Sequence, residues 1–135
     1  TKISKILIPK SVGLCDVATF KNCVNLTSIV FEDGGDVPLY VGGDLWLENT
    51  QVTILVLPFK TYRIRGYWRR GSNLNTLYVK STIPPILEHG WGDNPDTCDL
   101  YVPIGCKEVY ASATNWGSFR TITEYDFDLN PNNVH

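Results

Sequence analysis

Apolar residues recur along this chain in a six-residue pattern that occurs five times. In residues 26–31 the first, fourth and sixth positions are Leu26, Ile29 and Phe31, with polar residues at the second and third. The other segments are residues 3–8, 52–57, 74–79 and 97–102. Of the fifteen equivalent positions, only Thr97 is not apolar. Because each segment is short and rich in Ile, Val, Leu and Tyr, each is predicted to form a strand.

The spacing of these segments predicts a solenoid. Their fourth positions, Ile6, Ile29, Leu55, Leu77 and Leu100, are separated by 23, 26, 22 and 23 residues. This period lies within the range of leucine-rich repeats and is long enough for a strand, a loop and a return segment. We therefore predict an α/β repeat fold, a leucine-rich-repeat solenoid of about five coils with one parallel β-sheet and mostly irregular convex segments.

The segments between the strands are expected to form the convex side and the end of the solenoid. The predicted inward residues of three convex segments are Ala18, Phe20 and Cys23, then Leu45, Leu47 and Thr50, then Gly66, Trp68 and Gly71. After the last strand, Val109, Tyr110 and Ala113 recur at helical spacing and predict a short capping helix. The predicted domain covers residues 1–125, with the cap from about residue 103 and a polar tail over residues 126–135.

The end of the chain carries its most specific pattern, LYVPIGC at residues 100–106, followed by Tyr110 and by WGSFRTI at residues 116–122. With this pattern, with residues 8–12 and 18–29 as repeats and with Pro84-Pro85 before the final unit, the chain resembles BspA-like leucine-rich repeat proteins of bacterial surfaces. The resemblance implies a right-handed solenoid in a secreted or outer-surface protein that works by adhesion or molecular recognition. It brings no catalytic residues.

Composition and charge narrow the function classes. With 43% hydrophobic and 19% charged residues, the chain can form a core and is too poor in charge for intrinsic disorder. A net charge of −2 gives no domain-wide basic surface for nucleic acid or a membrane. No apolar run approaches the ~18 residues of a membrane span. The chain starts without Met and inside a repeat unit. We therefore expect a piece of a longer precursor, in which an upstream domain or further repeats could stack on the N-terminal edge.

The four cysteines leave two interpretations open. Cys15, Cys23, Cys98 and Cys106 include no CxxC pair, so a zinc finger is not expected. Disulfides between Cys15 and Cys23 or between Cys98 and Cys106 would suit an exported protein. The alternative is four small buried thiols that pack as apolar side chains.

The fifth position of each six-residue segment gives the first candidate binding surface. Because neighbouring residues of a strand point to opposite faces, these residues are expected to face away from the core. They are Leu7, Val30, Val56, Tyr78 and Tyr101, and we call them the outer row. One interpretation is a face that binds a protein or a glycan, with the tyrosines suited to sugar stacking. The alternatives are ordinary strand propensity and contact with an adjoining domain.

An arginine-rich segment, residues 62–70, gives the second candidate surface. Its candidate anion- or glycan-binding residues are Arg63, Arg65, Tyr67, Arg69 and Arg70. Guanidinium groups pair with carboxylate, sulfate or phosphate, so an acidic glycan or an acidic protein loop is a candidate ligand. In the alternative interpretation, Ile64 and Trp68 pack inward and the arginines form a solvated convex face.

Catalytic and metal sites find little support in the sequence. Of the two histidines, His135 is the last residue and His89 has no nucleophile motif nearby. The oxygen-rich residues 126–132 lack the glycine and the final glutamate of a calcium loop. We predict no enzyme activity, no cofactor and no metal.

These observations lead to one functional expectation and two rivals. The expected function is non-enzymatic recognition or adhesion at a bacterial surface or in a secreted protein, with extracellular protein or glycan partners and no nucleic acid. The first rival is a structural spacer within a larger surface protein. The second is a small hydrolase, which would need a nucleophile or a carboxylate pair in a pocket.

Overall fold

Two parallel β-sheets run along the length of the molecule. The computed structural model describes residues 3–16, 20, 22–42, 47–65, 70–88, 90–91 and 95–129. The larger sheet contains β1 (Lys5–Ile8), β3 (Ser28–Phe31), β5 (Ile54–Leu57), β7 (Thr76–Val79), β9 (Asp99–Pro103) and β10 (Thr121–Tyr125), in that order. The smaller sheet contains β2 (Leu14–Asp16), β4 (Leu39–Gly42), β6 (Thr61–Arg65) and β8 (Ile86–Glu88), in that order. The chain alternates between the sheets and forms a parallel β-solenoid of about five turns, as the period predicts.

The register of the larger sheet follows the repeat. Ile6 pairs with Ile29, and Leu55, Leu77 and Leu100 lie side by side on β5, β7 and β9. From Ile29 onward these fourth-position residues are buried in one continuous core, against which Ile6 packs while only partly buried. Alternation along each strand therefore places the apolar residues of the fourth and sixth positions inward and leaves the fifth-position residues on the outer face.

The smaller sheet was not predicted, because the sequence analysis expected mostly irregular segments on that side. Its inward residues, Cys15, Val41, Ile64 and Leu87, recur about every coil, but alternation along the strands is broken. Leu39 pairs with Thr61 and Tyr40 with Arg63, so Tyr62 is an extra residue in β6 and forms a bulge. The bulge hides the two-residue period by which a strand is normally recognised.

The convex segments follow the prediction in two coils and depart from it in the third. Cys23, Leu47 and Thr50 are buried, and Phe20 packs against the core while partly buried. Gly71 is exposed, so its predicted inward position is wrong. Its φ is +67°, and Asn22 and Asn49, with φ values of 65° and 61°, take the equivalent turn position in the two preceding coils. The predicted inward residues Ala18, Leu45, Gly66 and Trp68 lie outside the described residues.

A helix and an aromatic cluster lie at the C-terminal end of the core. Helix α1 (Lys107–Ser112) buries Tyr110, whose hydroxyl donates to the carbonyl of Ser81 at 2.7 Å. The indole of Trp116 is also buried and donates to the carbonyl of Pro85 at 2.9 Å. The two rings meet edge to face with centroids 5.2 Å apart. Aromatic side chains thus satisfy two backbone carbonyls that precede β8, the last strand of the smaller sheet.

The four cysteines are thiols inside the core. Cys15, Cys23, Cys98 and Cys106 are all buried in the core, and none is in a disulfide. They pack as small apolar side chains, which is the second of the two interpretations that the sequence left open.

Candidate functional site

The outer row is a single line of side chains across five strands. Leu7 pairs with Val30, Val30 with Val56, Val56 with Tyr78, and Tyr78 with Tyr101. Adjacent members are separated by the spacing of neighbouring strands, about 4.8 Å. All five are apolar or aromatic, so the outer face of the larger sheet carries a continuous apolar line.

Exposure changes along the outer row. Leu7 is 58% exposed, and Val30, Tyr78 and Tyr101 are half-buried. Val56 is only 6% exposed, although it does not belong to the core cluster. Its expected exposure is therefore wrong, because it lies in the middle of the row with Val30 on one side and the larger Tyr78 on the other. A ligand would meet the two ends of the row rather than its centre.

Four aromatic rings gather at one end of the row. Tyr78 and Tyr101 stack with centroids 4.6 Å apart and planes 16° apart. Tyr125 meets the Tyr78 ring edge-on at 5.3 Å, and Phe127 lies 5.0 Å from Tyr125. The Lys80 ammonium lies 5.9 Å from the Phe127 ring centre, within cation–π range. Burial raises the pKa of Tyr78, so its hydroxyl remains protonated above the usual range of a tyrosine.

The sequence pattern does not predict Tyr125 and Phe127 as members of this cluster. The predicted domain ends at residue 125, and residues 126–135 are predicted to be a polar tail. The available signal was the spacing of two between the aromatics, which follows the strand β10. Because the chain continues across the outer face after β10, Phe127 reaches Tyr78, with ring centroids 6.3 Å apart.

One positive charge of the arginine-rich segment is neutralised by a carboxylate of the same sheet. The Arg63 guanidinium donates to a Glu88 carboxylate oxygen at 2.9 Å, and the Tyr40 hydroxyl donates to the same oxygen at 2.7 Å. The Arg63 guanidinium also lies 5.4 Å from the centre of the Tyr40 ring. These contacts cross three adjacent strands of the smaller sheet. The hydrogen bond to Glu88 is the main cause that raises the pKa of Arg63 and that of Tyr40.

The other candidates of the segment do not form one described cluster. Arg65 and Arg70 are exposed, and Tyr67 and Arg69 lie outside the described residues. Ile64 is buried in the core, as the alternative interpretation predicted, while Trp68 lies outside the described residues. Two described guanidinium groups, those of Arg65 and Arg70, therefore remain for an anionic ligand.

The described residues contain no group of three or more His, Cys, Asp and Glu side chains that could hold a metal ion. Both His89 and His135 lie outside the described residues. None of the helices in the described part of the chain is long and apolar enough to cross a membrane.

No protein-family model matches this chain, and no match is found among curated proteins.

Proposed function

We propose that this chain is a non-enzymatic recognition module of a bacterial surface or secreted protein, and that it binds extracellular protein or glycan ligands. The observation that carries the proposal is the outer row. Its residues are apolar or aromatic on five neighbouring strands of the larger sheet, although they lie on the face opposite the core. A line of apolar side chains on a solvated face is typical of an interaction surface.

We also infer that the solenoid is of the leucine-rich-repeat type with a C-terminal cap, as in BspA-like proteins. The repeat period and the six-residue pattern support this inference. The buried side chains of Tyr110, Trp116 and Phe119 support a cap, because they cover apolar residues of the last coils at the C-terminal end. The prediction included one parallel sheet and mostly irregular convex segments, and it did not include the smaller parallel sheet.

The outer row is tested by one substitution at its exposed end and one matched control. Leu7→Lys places a charge in the row, and Leu14→Lys places the same charge at a 64% exposed leucine of the smaller sheet. We expect Leu7→Lys to reduce binding on an array of glycans and extracellular proteins by about tenfold or more, whereas Leu14→Lys leaves it unchanged. Equal binding by both folded variants would show that the row is not the binding face.

The aromatic end of the row is tested separately because it suits a different ligand. Tyr101→Ser removes one ring of the stacked pair with Tyr78. If the ligand is a glycan that stacks on these rings, we expect affinity to fall by about 1 kcal/mol or more, roughly fivefold. Retained glycan binding by the folded variant would show that the glycan does not stack on the Tyr78 and Tyr101 rings.

A structural spacer is the second candidate function, and the burial of Val56 favours it. The middle of the outer row is covered by its own neighbours, and Phe127 lies against its aromatic end. In a spacer, these contacts would serve the stability of the sheet alone. A spacer should bind no member of the array, before or after Leu7→Lys, so the array experiment separates the two functions.

The exposed arginines offer a weaker, anion-directed contribution. Arg65 and Arg70 are available for sulfate or carboxylate groups, whereas Arg63 is paired with Glu88. We expect binding of heparin to weaken as salt rises, because exposed charges are screened. Arg65→Ala should reduce this binding, and binding that is independent of salt would rule out the anionic contribution.

A further inference from the structure

The chain returns towards the middle of the larger sheet after β10. Strand β10 is two strands away from β7, a distance of about 10 Å. The centre of the Phe127 ring nevertheless lies 6.3 Å from that of Tyr78 in β7, and 5.9 Å from the Lys80 ammonium just beyond that strand. Residues 126–129 therefore reach back across β9 towards β7, and we call them the strap.

Phe127 holds the strap against the outer face through side-chain contacts. Its ring meets the Tyr78 and Tyr125 rings edge to face, with interplanar angles of 76° and 62°. Phe127 is half-buried, whereas Leu129, two residues further on, is 78% exposed. Phe127 is thus the strap residue that contacts the aromatic end of the outer row.

The backbone of the strap is not part of the sheet. The amides of Asp128 and Leu129 donate to the Asp126 carboxylate at 3.0 and 3.1 Å, within the strap itself. Among the described residues, no backbone hydrogen bond joins Phe127, Asp128 or Leu129 to a strand or turn of the solenoid. By contrast, all five residues of β10 pair with β9. Detachment of the strap therefore breaks ring contacts but no hydrogen bond between strands.

The strap is loosely packed against the turns beneath it. A cavity of about 390 Å³ is lined by Phe127 and Asp128 of the strap and by Asp33, Phe59 and Lys80 of the solenoid. Phe59 follows β5 and Lys80 follows β7, so the cavity lies at the ends of these strands. Protein cores contain few voids larger than a water molecule. The strap therefore lies outside the core and can detach without opening it.

We propose that the strap is autoinhibitory and that an aromatic side chain of a protein ligand displaces Phe127 from the aromatic end of the outer row. Tyr78 contacts the rings of Tyr101, Tyr125 and Phe127. Tyr101 and Tyr125 lie in paired strands, so Phe127 is the ring that can leave without disrupting the sheet. The ligand ring takes its place. This inference rests on the proposed function, because it concerns the regulation of the same surface.

The surroundings of the Phe127 ring favour an aromatic side chain over a sugar as the competitor. The seat of Phe127 consists of the Tyr78 and Tyr125 rings and the Lys80 ammonium. An ion pair with Asp33 keeps that ammonium in place when the strap leaves. A cation is attracted to the face of an aromatic ring, whereas a sugar ring has no such π system. An aromatic side chain therefore gains a contact that a glycan lacks, although both can stack on tyrosine.

The proposal can be tested by NMR of the full chain with ¹³C-labelled Phe and Tyr rings. The probe is N-acetyl-phenylalanine amide, which presents one aromatic ring and no charge, and cellohexaose is the glycan control. In Phe127→Ala the vacant seat should bind the probe, with saturable shifts of the Tyr78 and Tyr125 rings. We expect about tenfold weaker binding in the wild type, because the apparent affinity falls with the fraction of molecules in which the strap is detached.

Two further variants separate release of the strap from loss of its ring. Asp126→Ala removes the hydrogen-bond acceptor within the strap and leaves Phe127 in place, so probe binding should strengthen about threefold over the wild type. Leu129→Ala is the matched control in the same segment and should bind the probe as the wild type does. When the probe saturates the wild type, the Phe127 ring signals should move to the positions of an exposed phenylalanine.

Three results would overturn the proposal. The first is equal probe affinity of wild type and Phe127→Ala, or no binding to either, with spectra that show folded protein. The second is Phe127 ring signals that stay unchanged while those of Tyr78 saturate, since the strap and the probe would then bind together. The third is tighter binding of cellohexaose than of the probe to Phe127→Ala, which would identify a glycan as the competitor.

The proposed function fails by a different measurement. It is contradicted if neither the wild type nor Phe127→Ala binds any member of the protein and glycan array. The probe titration decides the role of the strap in either case, because it uses the ring signals of the chain itself.

Discussion

Thr61 and Thr50 are buried threonines whose hydroxyls have opposite environments. The Thr50 hydroxyl donates to the Leu47 carbonyl at 3.0 Å, whereas the Thr61 hydroxyl has no partner among the described residues. Removing an unpaired buried hydroxyl is stabilising, and removing a paired one is destabilising. We therefore expect Thr61→Val to raise the free energy of unfolding by about 1 kcal/mol and Thr50→Val to lower it by about the same amount.

Urea denaturation of both variants measures this difference, since the slope of the transition should not change. A loss of stability in Thr61→Val equal to that in Thr50→Val would mean that the Thr61 hydroxyl has a partner in the folded chain.

Tyr110 is a buried residue whose hydroxyl is paired. Tyr110→Phe leaves the Ser81 carbonyl without its donor, so we expect a loss of about 1–2 kcal/mol in the free energy of unfolding. Burial raises the pKa of Tyr110, so the folded chain keeps this proton at a pH where the unfolded chain loses it.

This raised pKa also sets a pH dependence. The stability linked to Tyr110 is fully present below pH ~10, the ordinary tyrosine pKa, and is lost as pH rises above it. The advantage of the wild-type chain over Tyr110→Phe should therefore shrink in denaturation experiments above pH ~10. A constant difference up to pH ~11.5 would contradict the burial-induced shift.

One carboxylate joins strand β10 to β9 in addition to the parallel pairing of the two strands. Asp99 accepts two hydrogen bonds from the Arg120 guanidinium, both at 2.8 Å, and one from the Thr121 hydroxyl at 2.8 Å. The bonds from Arg120 are the main cause that lowers the pKa of Asp99. The stability linked to this carboxylate is present above its unfolded pKa of about 4 and is lost as pH falls through the lower folded value.

Asp99→Asn tests whether the Asp99 carboxylate stabilises strand β10. We expect the variant to be less stable than wild type at pH ~7 and the difference to shrink below pH ~4, because protonation then removes the same charge from the wild type. Thermal melts at the two pH values measure the effect. An equal difference at both would show that the carboxylate charge does not stabilise β10.

The strands differ in how far the sequence could predict them. Strand β3 was predictable because Ile29 and Phe31 alternate with polar or outward residues. Strand β6 was not, because the bulge at Tyr62 places two outward residues between Thr61 and Ile64. Strand β10 was missed because its residues are mostly exposed and it has a neighbour on one side only among the described strands. Periodicity therefore identifies strands with one fully buried side and fails at bulges and edges.

The candidate site was predictable to a similar extent. Alternation placed the outer row in one line, since a residue's face depends only on its position in the strand. The burial of Val56 and the contact between Phe127 and Tyr78 depend on neighbours from other coils. The pairing of Arg63 with Glu88 joins residues 25 positions apart, through a sheet that the sequence did not reveal. The repeat period therefore does not predict long-range contacts between residues that are not equivalent positions of the repeat.

Across the whole molecule, coverage of the core decreases toward the N-terminal coil. The first-position residues Leu26 and Val52 are fully buried and Leu74 nearly so, whereas Ile3 is 51% exposed. No described strand pairs with the outer edge of β1. In a solenoid each coil is stabilised by its neighbours, so a coil with one neighbour should open most readily. We expect amide hydrogens of β1 to exchange faster than those of β5 and β7, as measured by native-state hydrogen exchange.

Alanine substitutions at equivalent positions of two coils test the same gradient by stability. Leu77 is fully buried between β5 and β9, whereas Ile6 is partly buried with one neighbouring strand, β3. Leu77→Ala should lower the free energy of unfolding by about 2–5 kcal/mol, and Ile6→Ala by about half as much or less. Leu77→Ala should also accelerate exchange on both sides of β7, because neighbouring coils lose a shared contact, whereas Ile6→Ala should affect only β1 and β3. Equal losses at the two positions would mean that the N-terminal coil is covered as completely as the central coils. A second molecule in solution could provide that cover, and the melting temperature would then depend on protein concentration.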